Sequence, residues 1–116
     1  MADYTGKAQF FVALKVPAQH EAEADRFFEH HADLMQRTHP KVGEEALLQY
    51  TVCKNPDEDG NVLFLSAQVY ETKAGIDNHR KLIHEEPGLY EDLVSLVEKC
   101  DTTIGFGDSQ VVHSLW

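Results

Sequence analysis

The stretch VLFLSAQVYETKAGIDNHRKLIH, residues 62–84, contains a change in the spacing of its apolar residues from two to three or four. The first part, residues 62–70, alternates and therefore predicts a strand with one purely apolar face. The opposite face of this strand is mixed, and it carries Phe64, Ser66, Gln68 and Tyr70. Thr72 then suits the N-cap of a helix predicted over residues 73–84. On a helical wheel His79 falls inside the apolar arc formed by Ile76, Leu82 and Ile83.

The same patterns place three more elements on the N-terminal side of this stretch. Residues 8–16 and 47–53 alternate as strands, and a helix is predicted between them over residues 20–37. His31 lies near the centre of the apolar arc of that helix, and the other members of the arc are Ala24, Phe27, Phe28, Leu34 and Met35.

On the C-terminal side, a further helix is predicted from Pro87 to about residue 99. A last strand is predicted over residues 110–115, reached through Gly105 and Gly107. The resulting order βαββαβ predicts an α+β, ferredoxin-like fold with a four-stranded antiparallel sheet. The length predicts a single domain over residues 1–116.

The first predicted strand indicates self-association, because Phe11 and Ala13 make its second face apolar as well. Two helical units cover only one face of a four-stranded sheet, so the other face needs a different cover. A symmetry-related copy is the simplest cover, and we therefore expect a homodimer whose sheets meet face to face. The alternative is that Phe11 is an ordinary exposed aromatic residue.

Composition narrows the choice of partners. Twenty acidic residues against ten basic ones give a formal net charge of −10, which repels nucleic acid and anionic membranes. No apolar run approaches the ~20 residues of a transmembrane helix, and residues 1–7 lack the pattern of a signal peptide. We therefore expect a cytoplasmic protein whose partners are a second copy of itself and a small-molecule substrate.

Residues 64–79 resemble the third strand and following helix of the antibiotic biosynthesis monooxygenase (ABM) family, with Tyr70, Glu71, Ala74, Ile76 and His79 matching the family pattern. Residues 49–57 are similar to the family's second strand and turn. The resemblance implies a dimeric α+β barrel with a small pocket between sheet and helices in each protomer. The activities that it implies include oxygenation of quinols and anthrones without metal or flavin, haem degradation, and isomerisation of a phosphorylated sugar.

Two departures from the family pattern bear on the activity. Members often carry Glu two residues before the aromatic residue of the motif, where this chain has Gln68, which offers hydrogen bonds but no carboxylate base. Haem-degrading relatives use an Asn on the first strand and a Trp on the helix after the third. This chain has no Asn in residues 8–16, and its one tryptophan is Trp116. Haem degradation is therefore disfavoured.

Oxygenation without a cofactor requires a base, a pocket that excludes water and donors for the oxyanion of the substrate. His79 and His31 are the histidines that helical phase turns inward, so we expect them to be the catalytic residues. Gln68 and Tyr70 are the expected donors, and Phe10, Phe11 and Phe64 are expected to shape a pocket for a flat aromatic ligand. The alternative for each inward histidine is a hydrogen-bonded core residue.

No metal site and no cofactor are expected. Ligands on one helical face need a spacing of three or four, whereas His79 and His84 are five apart and His30 and His31 are adjacent. Our interpretation is a cofactor-independent monooxygenase for a small quinol or anthrone-type compound. Two alternatives stay open: an isomerase or other proton-transfer enzyme using the same pocket, and a non-catalytic dimer that binds a small molecule.

Overall fold

A computed structural model describes residues 3–57 and 59–115, so residues 1, 2, 58 and 116 lie outside it, Trp116 among them. The elements follow the predicted βαββαβ order, with the second helical unit in two pieces. Their bounds are β1 Ala8–Pro17, a 3-10 turn Ala18–His20, α1 Glu21–Thr38, β2 Leu47–Pro56, β3 Asn61–Tyr70, α2 Lys73–Glu85, α3 Leu89–Lys99 and β4 Thr102–Gln110.

The four strands form one antiparallel sheet in the order β2-β3-β1-β4, which is the ferredoxin-like topology. The register of β1 with β3 pairs Phe10 with Gln68 and Leu14 with Phe64. Because side chains alternate along a strand, the mixed face of β3 lies on the same side of the sheet as Leu14 and Val16. That side packs against α1 and α3 in the main core, whose buried helical members include Ala24, Phe27, Phe28, Leu34, Leu89 and Leu96.

The predicted position of the last strand is wrong. The strand is Thr102–Gln110, whereas residues 111–115 have no regular structure. Gly105 and Gly107 lie inside the strand, although the sequence suggested that they lead into it. Glycine is tolerated here because β4 is an edge strand. Its pairing with β1 also shifts in register between residues 9 and 11 of β1, and the Arg80 side chain packs over Gly107.

The break between α2 and α3 is made by Gly88, whose φ of 80° lies in the left-handed region that favours glycine. The last helix therefore begins at Leu89, whereas the sequence predicted a start at Pro87, two residues earlier. Thr72 caps α2 as expected, since its side chain accepts a hydrogen bond from the Ala74 amide. Among the described residues no helix is long and apolar enough to cross a membrane.

Gly75, in the first turn of α2, is required by close packing against β3. A Cβ atom at this position would lie 2.5 Å from Cδ1 of Tyr70 and 3.0 Å from the Glu45 carbonyl oxygen. Tyr70 is fully buried in a cluster with Met35 and Ile76, so its ring cannot move aside into solvent. We expect Gly75→Ala to lower the free energy of unfolding by about 1–3 kcal/mol, because overpacking outweighs the better helix propensity of alanine.

Urea denaturation of Gly75→Ala measures this effect, and Gly105→Ala is the matched control. A Cβ at Gly105 would meet only ordinary contacts, 3.5 Å from the Phe11 carbonyl and 3.7 Å from Val12. Equal stability of the two variants would contradict the packing described for Tyr70.

Candidate active site

A cavity of about 230 Å³ lies between the sheet and the helices. Its wall is mostly apolar, with Val12, Leu14, Phe27, Phe28, Ile83 and Leu93 among its members. Four of the residues that the sequence singled out line this one cavity: His31, His79, Gln68 and Phe10. An apolar pocket with a few convergent polar groups is the usual form of a small-molecule site.

His79 reaches the cavity from α2 and is buried, as its place in the apolar arc predicted. Its Nδ1 atom lies 2.9 Å from Nε2 of His39, so one ring nitrogen is held by a second histidine. Its other nitrogen, Nε2, has no hydrogen-bond partner within residues 3–57 and 59–115. The edge of the ring packs against Phe10 at a centroid distance of 5.4 Å. Nε2 is therefore the atom of His79 that a ligand can use.

His31 reaches the same cavity from α1, and its ring lies 5.4 Å from that of His79 at an angle of 82°. Its Nδ1 lies 2.7 Å from the Tyr50 hydroxyl. Burial raises the pKa of Tyr50 above its ordinary value, so the phenol keeps its proton. That proton has no other acceptor in the described part of the chain, so Tyr50 donates it to His31 Nδ1. Nε2 of His31 then carries the hydrogen and is a donor.

Both histidines are neutral near pH 7. Burial is the largest cause that lowers the pKa of His31 from 6.5 to about 4, and the nearby His39 and His30 contribute less. Burial is also the largest cause that lowers the pKa of His79 to about 2, with smaller contributions from His31, His39 and Arg80. The cause is the same in both cases, because a charge inside an apolar pocket loses its hydration.

Gln68 and Ser66 add polar groups from β3. The Tyr70 hydroxyl donates to Gln68 Oε1 at 2.5 Å, which leaves the amide nitrogen of Gln68 as the group available to a ligand. Tyr70 itself is fully buried and is not among the lining residues, so it orients Gln68 and does not touch the cavity. The Ser66 hydroxyl is buried in the cavity wall, and no partner for it occurs among the described residues.

The other residues singled out from sequence lie elsewhere. Phe64 stacks on Phe28 at 5.3 Å inside the core and is not among the residues lining this cavity. Phe11 lies on the opposite face of the sheet, paired with Ala67. His84 is exposed but still lines the cavity, and its ring lies 4.1 Å from that of Tyr90.

Several residues of the site were missed, the Ser66 hydroxyl on β3 among them. His39 and Tyr50 hold the two histidines, and Arg80 lines the cavity with its guanidinium 5.8 Å from the Phe10 ring. His39 directly follows α1, where helical phase carries no information. No group of three or more His, Cys, Asp or Glu side chains within the described chain is arranged to hold a metal ion.

No protein-family model matches this chain, and no curated protein sequence matches it. Solved structures resemble it over nearly their whole length. A protein from Bacteroides thetaiotaomicron named as an antibiotic biosynthesis monooxygenase has a TM-score of 0.63 at 10% identity, with 96% of this chain and 95% of that chain covered. A dimeric ferredoxin-like protein from an uncultured marine organism has a TM-score of 0.61 at 18% identity, with 94% and 92% covered.

SnoaB, a cofactor-independent oxygenase from Streptomyces nogalater, has a TM-score of 0.52 at 14% identity, with 93% of this chain and 98% of that chain covered. At such identities a structural likeness establishes the fold, and activity has to be argued from the site. The chain thus has the ferredoxin-like α+β fold of these three solved structures, one of which is named for the family that residues 64–79 resemble.

Proposed function

We propose that this protein is a cofactor-independent monooxygenase that acts on a small aromatic quinol. The observation that carries the proposal is the pair of buried, neutral histidines in one apolar cavity. His79 offers an unpaired Nε2 as a proton acceptor, and His31 offers an Nε2–H as a donor. A base next to an oxyanion donor is the arrangement that deprotonation of a ring hydroxyl needs.

Proton transfer is the first step. His79 Nε2 accepts the proton of a ring hydroxyl, while His31 and the Gln68 amide donate hydrogen bonds to the oxygen. In the protein alone His79 is a weak base, since burial lowers its pKa to about 2. The quinolate anion beside it raises that pKa in the complex, because an opposite charge within ~4–6 Å favours the imidazolium.

Oxygen reacts with the anion and needs no other reductant. The quinolate gives one electron to O₂, and the substrate radical and superoxide combine in a new C–O bond at a ring carbon. The peroxide takes the proton from His79. Loss of the proton on that carbon then breaks the O–O bond and releases hydroxide, which leaves as water. Quinol and O₂ thus give a hydroxyquinone and one water.

The polarity of the cavity favours a quinol over an anthrone. An apolar protein cavity of about 150 Å³ holds benzene, so a volume of about 230 Å³ suits one or two rings. The unpaired Ser66 hydroxyl offers a hydrogen bond to a second ring oxygen, which a quinol has.

Oxygen uptake with labelled O₂ tests the proposal, with a 1,4-naphthoquinol as the probe. We expect one O₂ consumed per quinol, one labelled atom in the hydroxyquinone and the other in water. The active protein should contain no stoichiometric transition metal and no flavin. Two results would overturn the proposal. One is formation of hydrogen peroxide and unlabelled quinone at the rate seen in buffer, and the other is an activity proportional to the amount of metal bound to the protein.

We also propose that the protein is a homodimer, as the structurally similar ferredoxin-like protein is. All three helices lie on one face of the sheet. The other face exposes Leu63 and Leu65 at 40% each and Ile104 at 50%. These side chains line a groove of about 460 Å³ that lacks the histidines of the cavity, so it is better explained as an interface than as the active site. The cytoplasmic location stays a prediction.

Light scattering at micromolar concentration is expected to give twice the chain mass. Leu65→Asp is expected to give a folded monomer, because it places a charge in the centre of the apolar face. Val94→Asp is the matched control, since Val94 is 39% exposed but lies on α3, on the other side of the molecule. A wild-type monomer, or equal effects of the two substitutions, would contradict the interface.

A non-catalytic small-molecule-binding dimer is the second candidate. The observation in its favour is the low pKa of His79, which makes the imidazolium unfavourable in the protein alone. Such a protein would bind the naphthoquinol without consuming oxygen. An isomerase in the same pocket would also consume none, but it would change the substrate.

A further inference from the structure

We propose that His39 and Thr38 are positioning residues that fix the tautomer of His79 and so leave Nε2 as its proton-accepting atom. This inference rests on the proposed function for its chemical meaning, but its geometry stands apart from it. It assigns a role to two residues at the C-terminal end of α1 that do not line the cavity.

A series of hydrogen bonds runs from the backbone of α1 to His79 through Thr38 and His39. The Thr38 hydroxyl donates to the Leu34 carbonyl at 2.7 Å, and a carbonyl can only accept. With its one hydrogen used, Thr38 Oγ1 can only accept from His39 Nδ1, which lies 3.1 Å away. His39 is therefore the Nδ1–H tautomer, and its Nε2 carries a lone pair.

The next hydrogen bond in the series fixes the position of the hydrogen on His79. His39 Nε2 lies 2.9 Å from His79 Nδ1, so the hydrogen in this contact belongs to His79. Burial keeps both rings neutral at pH 7, with the pKa of His39 lowered to about 4, so each ring has one N–H. His79 Nδ1 holds that hydrogen, and Nε2 is the lone-pair atom.

This arrangement explains why two histidines in one cavity take opposite roles. Tyr50 donates to His31 Nδ1 and makes Nε2 of that ring a donor, whereas His39 accepts from His79 Nδ1 and makes Nε2 of that ring an acceptor. Without the acceptor at His39, nothing else in the described residues would hold the hydrogen on Nδ1 of His79.

Long-range ¹H–¹⁵N correlation spectra of the histidine rings test the proposal without any substrate. In the wild-type protein at pH 7 we expect His79 to show a protonated Nδ1 and an unprotonated Nε2. Thr38→Val keeps the shape of the side chain but removes its acceptor, so His39 is free to move its hydrogen to Nε2, and His79 should then shift to the Nε2–H form. Thr38→Ser keeps the hydroxyl and should keep the wild-type spectrum.

A second pair of variants addresses His39 directly. His39→Gln places an amide oxygen near the former Nε2 and should keep His79 as the Nδ1–H tautomer, whereas His39→Leu should not. A wild-type His79 in the Nε2–H form, or an unchanged tautomer in Thr38→Val, would overturn the inference. If the tautomers are as expected and the naphthoquinol assay shows no oxygen uptake, the proposed function fails and the positioning role stands.

Discussion

Replacing His79 with glutamine is expected to lower turnover of the naphthoquinol by ~10²-fold or more while the protein stays folded and dimeric. Glutamine is close to histidine in size and keeps a hydrogen-bonding group, but it cannot accept a proton near neutral pH. The effect should fall on kcat more than on KM, because the lost interaction forms in the transition state. Steady-state oxygen uptake by wild type and variant measures it.

The control for this substitution is His20→Gln, which makes the same change on the 3-10 turn, outside the cavity. His84→Gln is less suitable, because His84 lines the cavity. If His79 were only a core residue, His79→Gln would lower the free energy of unfolding by about 1–3 kcal/mol and leave activity per folded dimer unchanged. That result would remove His79 from the mechanism.

The second large effect is loss of stability in mild acid. His31 and His79 titrate near 6.5 in the unfolded chain, whereas in the folded protein their pKa values are about 4 and about 2. Below pH 6.5 the unfolded state therefore binds more protons, and stability falls as the pH falls. The slope for each histidine rises to about 1.4 kcal/mol per pH unit below pH 6.5, so the pair lowers the free energy of unfolding by about 3 kcal/mol between pH 6.5 and 5. His39, whose pKa burial also lowers to about 4, adds to this loss.

Urea denaturation at pH 7, 6.5, 6, 5.5 and 5 measures this slope. Moderate salt should be present, because the net charge of −10 also falls with pH and relief of that repulsion acts in the opposite direction. His31→Gln removes one of the three titrating histidines and should reduce the slope by about 1.4 kcal/mol per pH unit. Stability that is constant or rises between pH 7 and 5 would show that the two rings are not buried and neutral.

Much of the fold could be predicted because its information is local. The change of apolar spacing within residues 62–84 predicted β3 and α2, and the apolar arcs of the two helices predicted that His31 and His79 face inward. The mixed face of β3 could not be assigned to the cavity from sequence alone. The register with β1 assigns it there, since Phe10 pairs with Gln68.

What the sequence could not predict depends on contacts between distant segments. His39 and His79 are 40 residues apart, and Tyr50 lies on a different element from His31, so local spacing does not indicate either contact. The last strand was placed too late because Gly105 and Gly107 suggest a connection. In the structure these glycines lie in an edge strand beside a register shift.

Deprotonation of the bound substrate by His79 is the central step of the proposed mechanism, and an anaerobic absorption spectrum tests it most directly. Without oxygen the reaction stops at the anion, so mixing the naphthoquinol with excess wild-type protein at pH 7 should give the spectrum of the bound quinolate. His79→Gln should bind the same compound and give the spectrum of the neutral quinol. A neutral quinol spectrum in the wild-type complex, or the same anion signal in the variant, would contradict the assignment of His79 Nε2 as the base.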